Sequence, residues 1–153
     1  MDISGHESVE IKPMDISGYD EIYQLWQSIP FTRKALNPAD DSREGIARYL
    51  KRNPSTCFVA VHKAGSGSTI AGTILSGHDG RRAVLYHLAV AEHMRYKGIG
   101  RALVDAAAAA LAEEGICKAY IVVFKDNHGG NAFWEAQGFH SRDDLVFRNR
   151  QIL

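Results

Sequence analysis

The stretch from Arg82 to Phe124 limits the possible folds of this chain more than any other part of its sequence. Residues 82–90 are mostly apolar and predict a long strand. Residues 98–114 predict a long helix, because they include five consecutive alanines and are followed by Gly115. Residues 119–124 are almost continuously apolar, which is typical of a strand buried on both faces of a sheet. This order predicts a right-handed crossover between two parallel strands.

The segments on either side of this crossover complete a mixed sheet with helices on both faces. Before it, the pattern predicts a strand at Val9–Ile11, helices ending at Pro30 and before Pro54, and strands at Thr56–His62 and Thr69–Leu75. Asp41 or Ser42 is expected to cap the second helix, and residues 31–41 to form a loop. After it come a short helix capped by Asn131, then closing strands from Phe139 and at Leu145–Arg148. The predicted α/β order is β-α-α-β-β-β-α-β-α-β-β, with six or seven strands.

Composition excludes several classes of protein. The 153 residues correspond to one domain, which we expect over residues 8–153 after a mobile tail at residues 1–7. Eighteen basic and 18 acidic residues give no net charge, so we expect no nucleic-acid partner. The sequence has no long apolar run and no signal peptide, so we expect no membrane partner. Two cysteines and scattered histidines favour a reducing cytoplasm and no metal site.

The loop before the long helix has the features of a phosphate site. A helix start presents backbone N–H groups that have no partner within the helix, at the positive end of its dipole. The loop also carries Arg95, Lys97 and Arg101 and no acidic side chain. The alternative is a glycine turn with solvated charges. Two known phosphate loops are excluded, because residue 103 is leucine and Gly100 is followed by arginine.

Two motifs together resemble the Gcn5-related N-acetyltransferase (GNAT) superfamily. The first is R-x-x-G-x-G, which consists of Arg95, Gly98 and Gly100. The second has the family's spacing and consists of Asn127, an aromatic residue at Trp134, and the pair Gly138 and Phe139. The family usually has tyrosine where this chain has Trp134. The resemblance covers about residues 9–148 and implies a GNAT-type fold for a single domain.

The resemblance implies that the chain moves an acetyl group from acetyl-CoA to an amine by direct attack in a ternary complex. The acceptor would be a small molecule or a protein N-terminus or lysine, and the protein a monomer or homodimer. The backbone of residues 88–90 would pair with the pantetheine arm, and the glycine loop would hold the pyrophosphate. The implied cofactor contacts are Leu88, Ala89, Val90, Arg95, Tyr96, Lys97, Gly98, Ile99, Gly100, Arg101, Asn127 and Phe133.

The catalytic candidates are Tyr86, His87 and Trp134. Family members often carry an acidic residue or histidine at the position of Tyr86. Strand alternation turns His87 away from the cleft unless a bulge intervenes, and a packed histidine is the alternative. Trp134 cannot deliver a proton at neutral pH and could be a packed aromatic residue. An acyl-CoA-binding sensor without turnover is therefore the alternative function. Trp26, Phe31 and Arg33 would line the acceptor side, although Trp26 could equally belong to the core.

Overall fold

The computed structural model describes residues 1–153, with the exception of the Ser4 side chain. The chain forms two compact units, Met1–Ile121 and Val122–Leu153. The strands of the first unit are β1 (Asp2–Ser4), β2 (Glu7–Pro13), β3 (Phe58–Ala64), β4 (Gly67–His78), β5 (Ala83–Val90) and β6 (Ala119–Tyr120). They lie side by side in chain order. All neighbours are antiparallel except β5 and β6, which are parallel as the crossover predicted.

Helices pack on both faces of this sheet. Those of the first unit are α1 (Tyr19–Ser28), α2 (Pro30–Ala35), α3 (Arg43–Arg52) and α4 (Ile99–Glu113). Thr73 of β4 contacts α1, since its hydroxyl oxygen accepts the Trp26 indole N–H at 2.8 Å. The preceding residue of the strand, Gly72, faces Ile99 and Leu103 of α4. Successive strand residues point to opposite faces, so α1 and α4 lie on opposite sides of the sheet.

Local sequence explains where the first helices begin. The Ser42 hydroxyl accepts the Gly45 N–H at 3.0 Å, so Ser42 rather than Asp41 caps α3. Pro30 ends α1, as predicted, but it also occupies the first turn of α2. The prediction of a loop over residues 31–41 was therefore wrong in its first part, because proline suits a helix start as well as it ends a helix.

The predicted strand at residues 119–124 was wrong in length and in burial. Pairing with β5 ends at Tyr120. The side chains of Tyr120 and Val122 are 51% and 60% exposed, although their sequence favoured burial on both faces. Apolar composition alone does not make a strand, because the strand conformation depends on its neighbours in the sheet.

The second unit contains one helix, α5 (His128–Ala136), among its described residues. Asn127 caps this helix and Asn131 lies inside it, so the predicted Asn131 cap was wrong. The closing strands predicted from Phe139 and at Leu145–Arg148 are also absent from the described structure. The exposed side chains of residues 145–147 show why, since a strand-forming sequence stays irregular without a pairing edge.

The first seven residues contribute to the sheet edge. Residues 2–4 pair with β2, and the Met1 ammonium donates to the Val9 carbonyl at 2.6 Å. The mobility of this segment and the single domain over residues 8–153 stay predictions. No helix in the described part of the chain is both long and apolar enough to cross a membrane.

Candidate active site

The alternation of side chains along β5 is broken at His87. Thr73 of β4 lies opposite Ala89, and Leu75 lies opposite Tyr86, so two residues of β5 face one residue of β4 between these pairs. The backbone of His87 has a φ of 47°, in the left-handed region. A bulge of this kind re-aims the side chain that it carries. A non-glycine residue in this conformation costs about 1–3 kcal/mol and is most often found at functional sites.

The bulge brings His87 to the face of the sheet that α1 and α3 cover. Its ring centroid lies 4.7 Å from that of Trp26 on α1. Tyr86, the preceding residue, has its ring centroid 6.3 Å from that of Tyr49 on α3. Simple alternation would have put these two neighbours on opposite faces. The bulge instead places both catalytic candidates of β5 on one face.

A buried carboxylate contacts His87. The Asp41 Oδ1 lies 2.7 Å from the His87 Nε2, and their side chains are 8% and 10% exposed. Sequence reasoning missed this partner and considered Asp41 only as a helix cap. The two residues are 46 positions apart. No local spacing could have signalled a contact that exists only after the α2–α3 loop folds over β5.

Two consecutive buried hydrogen bonds connect the bulge to α1. The Trp26 indole N–H donates to the Thr73 hydroxyl at 2.8 Å, and that hydroxyl donates to the His87 carbonyl at 2.9 Å. Trp26 and Thr73 are fully buried. Of the two interpretations of Trp26, the structure supports the core one, although the ring also contacts His87. Thr73 is a second residue that sequence patterns did not single out.

Tyr86 borders a cavity of about 230 Å³. Tyr49, Tyr86 and Tyr120 form aromatic parts of its wall, together with Arg52 and Arg82 among others. Burial raises the pKa of the Tyr86 phenol, and Tyr120 and Asp40 add to the effect. The hydroxyl is therefore protonated at neutral pH and is able to donate a proton or a hydrogen bond.

The edge of β5 beyond its bulge is open. Strand β6 pairs with β5 only at Ala83 and Val84. Within the described structure, residues 88–90 consequently have no strand partner on the β6 side. An open edge of this kind can pair with the amide groups of an extended ligand. These are the residues that were predicted to pair with the pantetheine arm.

The open edge leads into the glycine loop. Gly98 has a φ of 81° at the N-cap of α4, a conformation that favours glycine. Buried Met94 and Ile99 fix the two ends of the loop on the protein. Between them, the backbone N–H groups of residues 96–98 donate to no acceptor in the described structure. The first N–H groups of α4 also lack partners within the helix. This row of free donors suits a phosphate group.

Charge at the loop is positive. Arg95 and Lys97 are exposed, and neither lies within ion-pair distance of an acidic side chain in the described structure. Arg101 on the first turn of α4 lies 3.8 Å from Asp105, and both side chains are exposed, so this pair is weak. Tyr96 also has a left-handed backbone, with a φ of 61°, and its side chain is fully exposed. The loop is thus chemically fit for the pyrophosphate of a CoA thioester.

Three predicted site residues lie in the second unit. The Asn127 side chain accepts the Gly130 N–H at 2.9 Å and so caps α5. The Trp134 ring is 9% exposed and packs edge-on against Phe133 and Phe139, at centroid distances of 5.3 and 5.0 Å. Trp134 is therefore a packed aromatic residue within its own unit. No group of three or more side chains able to hold a metal ion occurs in the described part of the chain.

A mixed sheet whose bulged strand runs into a glycine loop and a helix start defines an acyltransferase of the GNAT type. Residues 19–139 match the acetyltransferase (GNAT) family, and the chain belongs to it. An acetyltransferase of Yersinia enterocolitica is 28% identical over 145 residues, which cover 95% of this chain and 97% of that protein. The resemblance found in the two sequence motifs is confirmed.

Solved structures show the same fold. A GNAT-family acetyltransferase from Staphylococcus aureus Mu50 has a TM-score of 0.73 at 20% identity, covering 91% of this chain and 89% of that one. The PaiA N-acetyltransferase from Thermoplasma acidophilum, solved with coenzyme A, has a TM-score of 0.71 at 20% identity, covering 90% of this chain and 93% of that one. The predicted mixed α/β class and GNAT-type fold are confirmed.

Proposed function

We propose that this chain transfers an acetyl group from acetyl-CoA to an amine acceptor by direct attack. The observation that carries the proposal is that one strand, β5, connects the catalytic candidates to the predicted cofactor loop. Its bulge presents Tyr86 and His87 on one face, and its open edge continues at once into the basic glycine loop. A thioester arm lying along that edge would bring its carbonyl close to the bulge.

We assign the cofactor contacts to the backbone groups of β5 and the glycine loop that have no partner within the described part of the protein. The backbone of Leu88, Ala89 and Val90 would pair with the pantetheine amides, as an added strand would. The N–H groups of residues 96–100 would surround the pyrophosphate, and the basic side chains of the loop would add attraction. The Arg95 N–H, which the resemblance also implied, donates instead to the Glu92 carbonyl at 3.3 Å. The coenzyme A bound to the Thermoplasma relative supports this assignment. The family resemblance assigns Asn127 and Phe133 to the cofactor arm.

In the proposed reaction, His87 takes a proton from the ammonium form of the acceptor. The free amine nitrogen then forms a bond to the thioester carbon, and a backbone N–H near Leu88 or Ala89 stabilises the oxyanion. The carbon–sulfur bond breaks, and Tyr86 donates its proton to the departing thiolate. The second nitrogen proton, which is lost as the amide forms, passes through solvent to the Tyr86 phenolate and restores the phenol, and His87 releases its proton to solvent. We assign no proton transfer to Trp134, because an indole N–H donates hydrogen bonds only.

The acceptor is proposed to be a small-molecule amine rather than a protein N-terminus or lysine. The cavity beside Tyr86 has a volume of about 230 Å³, is open to solvent and has three tyrosines in its wall, so it suits a small group better than a long peptide. A panel of aminoglycosides, polyamines, amino acids and peptides with free N-termini would separate these acceptor classes.

The test has two stages. Acetyl-CoA and CoA should each raise the thermal unfolding temperature of the protein, because a ligand that binds only the folded state stabilises it. Release of free CoA thiol should then depend on one class of amine in the panel. Stabilisation without amine-dependent thiol release would favour the sensor, an alternative that the packed Trp134 supports. The absence of any stabilisation would contradict both functions.

A further inference from the structure

We propose that Asp41 is a positioning residue, which holds His87 in the tautomer that leaves its Nδ1 lone pair free to accept the acceptor's proton. The inference rests on the proposed acetyl transfer. It starts from the 2.7 Å contact between the Asp41 Oδ1 and the His87 Nε2, with both side chains almost fully buried. A carboxylate oxygen only accepts hydrogen bonds, so at this contact the imidazole Nε2–H donates.

The contact decides which ring nitrogen is basic. A neutral imidazole carries its proton on one nitrogen and a lone pair on the other. With the proton on Nε2, the lone pair is on Nδ1. In the described structure, only Tyr49 and Ser76 have a side-chain polar atom that is both buried and without a hydrogen-bond partner. His87 Nδ1 makes no hydrogen bond and is not one of these buried atoms, so it keeps some contact with solvent, and this is the side from which we propose that the ammonium group approaches.

Asp41 is itself held on several sides. Its second carboxylate oxygen, Oδ2, accepts the Asn37 backbone N–H at 2.7 Å. The Asp41 backbone N–H donates to the Asn37 carbonyl at 2.9 Å, and the Asp41 carbonyl accepts the Tyr19 hydroxyl at 2.6 Å. Each carboxylate oxygen thus has a different donor. The side chain cannot rotate without breaking one of these bonds.

These fixed partners predict what an amide would do at the same place. In Asp41→Asn, the Asn37 N–H still requires an acceptor, so the amide oxygen occupies the Oδ2 position. The amide NH₂ group then faces the His87 Nε2, which has to accept. The imidazole proton consequently moves to Nδ1, and the base is lost without any change in shape. We expect kcat to fall by about 10²–10⁴-fold, the usual contribution of a general base.

The decisive readout is the tautomer of His87, recorded by ¹⁵N NMR on histidine-labelled protein at a pH where the ring is neutral. We expect the Nε2–H form in the unaltered protein and the Nδ1–H form in Asp41→Asn. Acetyl-CoA binding, measured by calorimetry, should be the same in both. An Nδ1–H tautomer in the unaltered protein overturns the proposal and needs no variant to be seen.

Two further variants complete the test. Asp20→Asn removes one carboxylate from an exposed ion pair with Arg43, so it is a charge-matched control that should keep kcat within about twofold of the unaltered protein. His87→Gln should lose as much activity as the double variant His87→Gln with Asp41→Asn, because Asp41 acts only through His87. Additive losses would overturn the positioning role.

The failure of this proposal is distinguishable from failure of the proposed function. If the unaltered protein acetylates no amine, the proposed function fails, but the NMR measurement still shows whether Asp41 determines the tautomer of the His87 imidazole. If the protein acetylates an amine and Asp41→Asn retains its kcat, the acetyl transfer stands and the role of Asp41 is refuted.

Discussion

Replacing Thr73 with valine should show how much the two buried hydrogen bonds at the bulge contribute to the stability and activity of the protein. Valine has nearly the same shape as threonine but lacks the hydroxyl that accepts from Trp26 and donates to His87. All loss can therefore be attributed to two hydrogen bonds rather than to a cavity.

The size of the effect follows from burial. Trp26 and Thr73 are fully buried, so the indole N–H would remain unpaired away from water at a cost of about 1–3 kcal/mol. The lost bond to the His87 carbonyl adds about 0.5–1.5 kcal/mol, since that carbonyl is only partly buried. Their sum, about 1.5–4.5 kcal/mol, is less than the stability of most domains, so the variant should still fold.

Urea unfolding would measure this change as a shift of the midpoint at constant slope. Thr73→Ser is the matched control, because it keeps the hydroxyl and removes one methyl group, at a cost of about 1 kcal/mol. The valine variant should also lower kcat, since the bulge that presents His87 loses its support. A valine variant that is as stable and active as the serine variant would refute the structural role of these two hydrogen bonds.

The remaining predictions concern the cofactor loop and the acid. Gly98→Asp should abolish CoA binding in a folded protein, because it places a carboxylate beside the pyrophosphate at a φ of 81° that disfavours any side chain; unchanged affinity by calorimetry would remove the loop from the site. CoA affinity should fall as salt concentration rises, and dephospho-CoA should bind more weakly if a basic side chain contacts the 3′-phosphate. Tyr86→Phe should lower kcat about 10²-fold and remove the alkaline limb of the pH–rate profile. The raised pKa of Tyr86 puts that limb above about pH 10, where the phenol deprotonates and the acid is lost. Trp134→Phe should keep activity within about tenfold, since it loses one hydrogen bond at most, and a folded but inactive variant would show that the indole is essential.

The sequence predicted those parts of the fold whose signals are local. Period-2 and helical patterns located strands β2 to β5 and helices α1, α3 and α4 to within a few residues, whereas β1 lies in the segment predicted to be a tail. The closing strands failed because a pattern of apolar residues, as at 145–147, shows strand propensity but does not show whether a pairing partner exists. Asn131 failed as a cap because Asn127 provides a cap four residues earlier.

In the candidate site, too, the features with local sequence signals were predicted and those formed by distant contacts were not. The glycine loop was visible because its residues are contiguous and its chemistry depends on backbone N–H groups. The orientation of His87 was left open, because a bulge shifts the pairing register by one residue and requires no particular sequence. Asp41 and Thr73 were missed because their roles arise from contacts across the sheet and its helices.

The position of Asp41 on the loop between α2 and α3 has a consequence for the evolution and redesign of this enzyme. In the proposed reaction that loop would border the acceptor, because it holds His87, and new substrates would select for new sequences there. The same seven residues, 36–42, also supply the carboxylate that contacts His87 and the backbone N–H that fixes it. A loop transplanted from a relative would therefore change substrate preference and basicity together, unless Asn37 and Asp41 were carried over at their present separation.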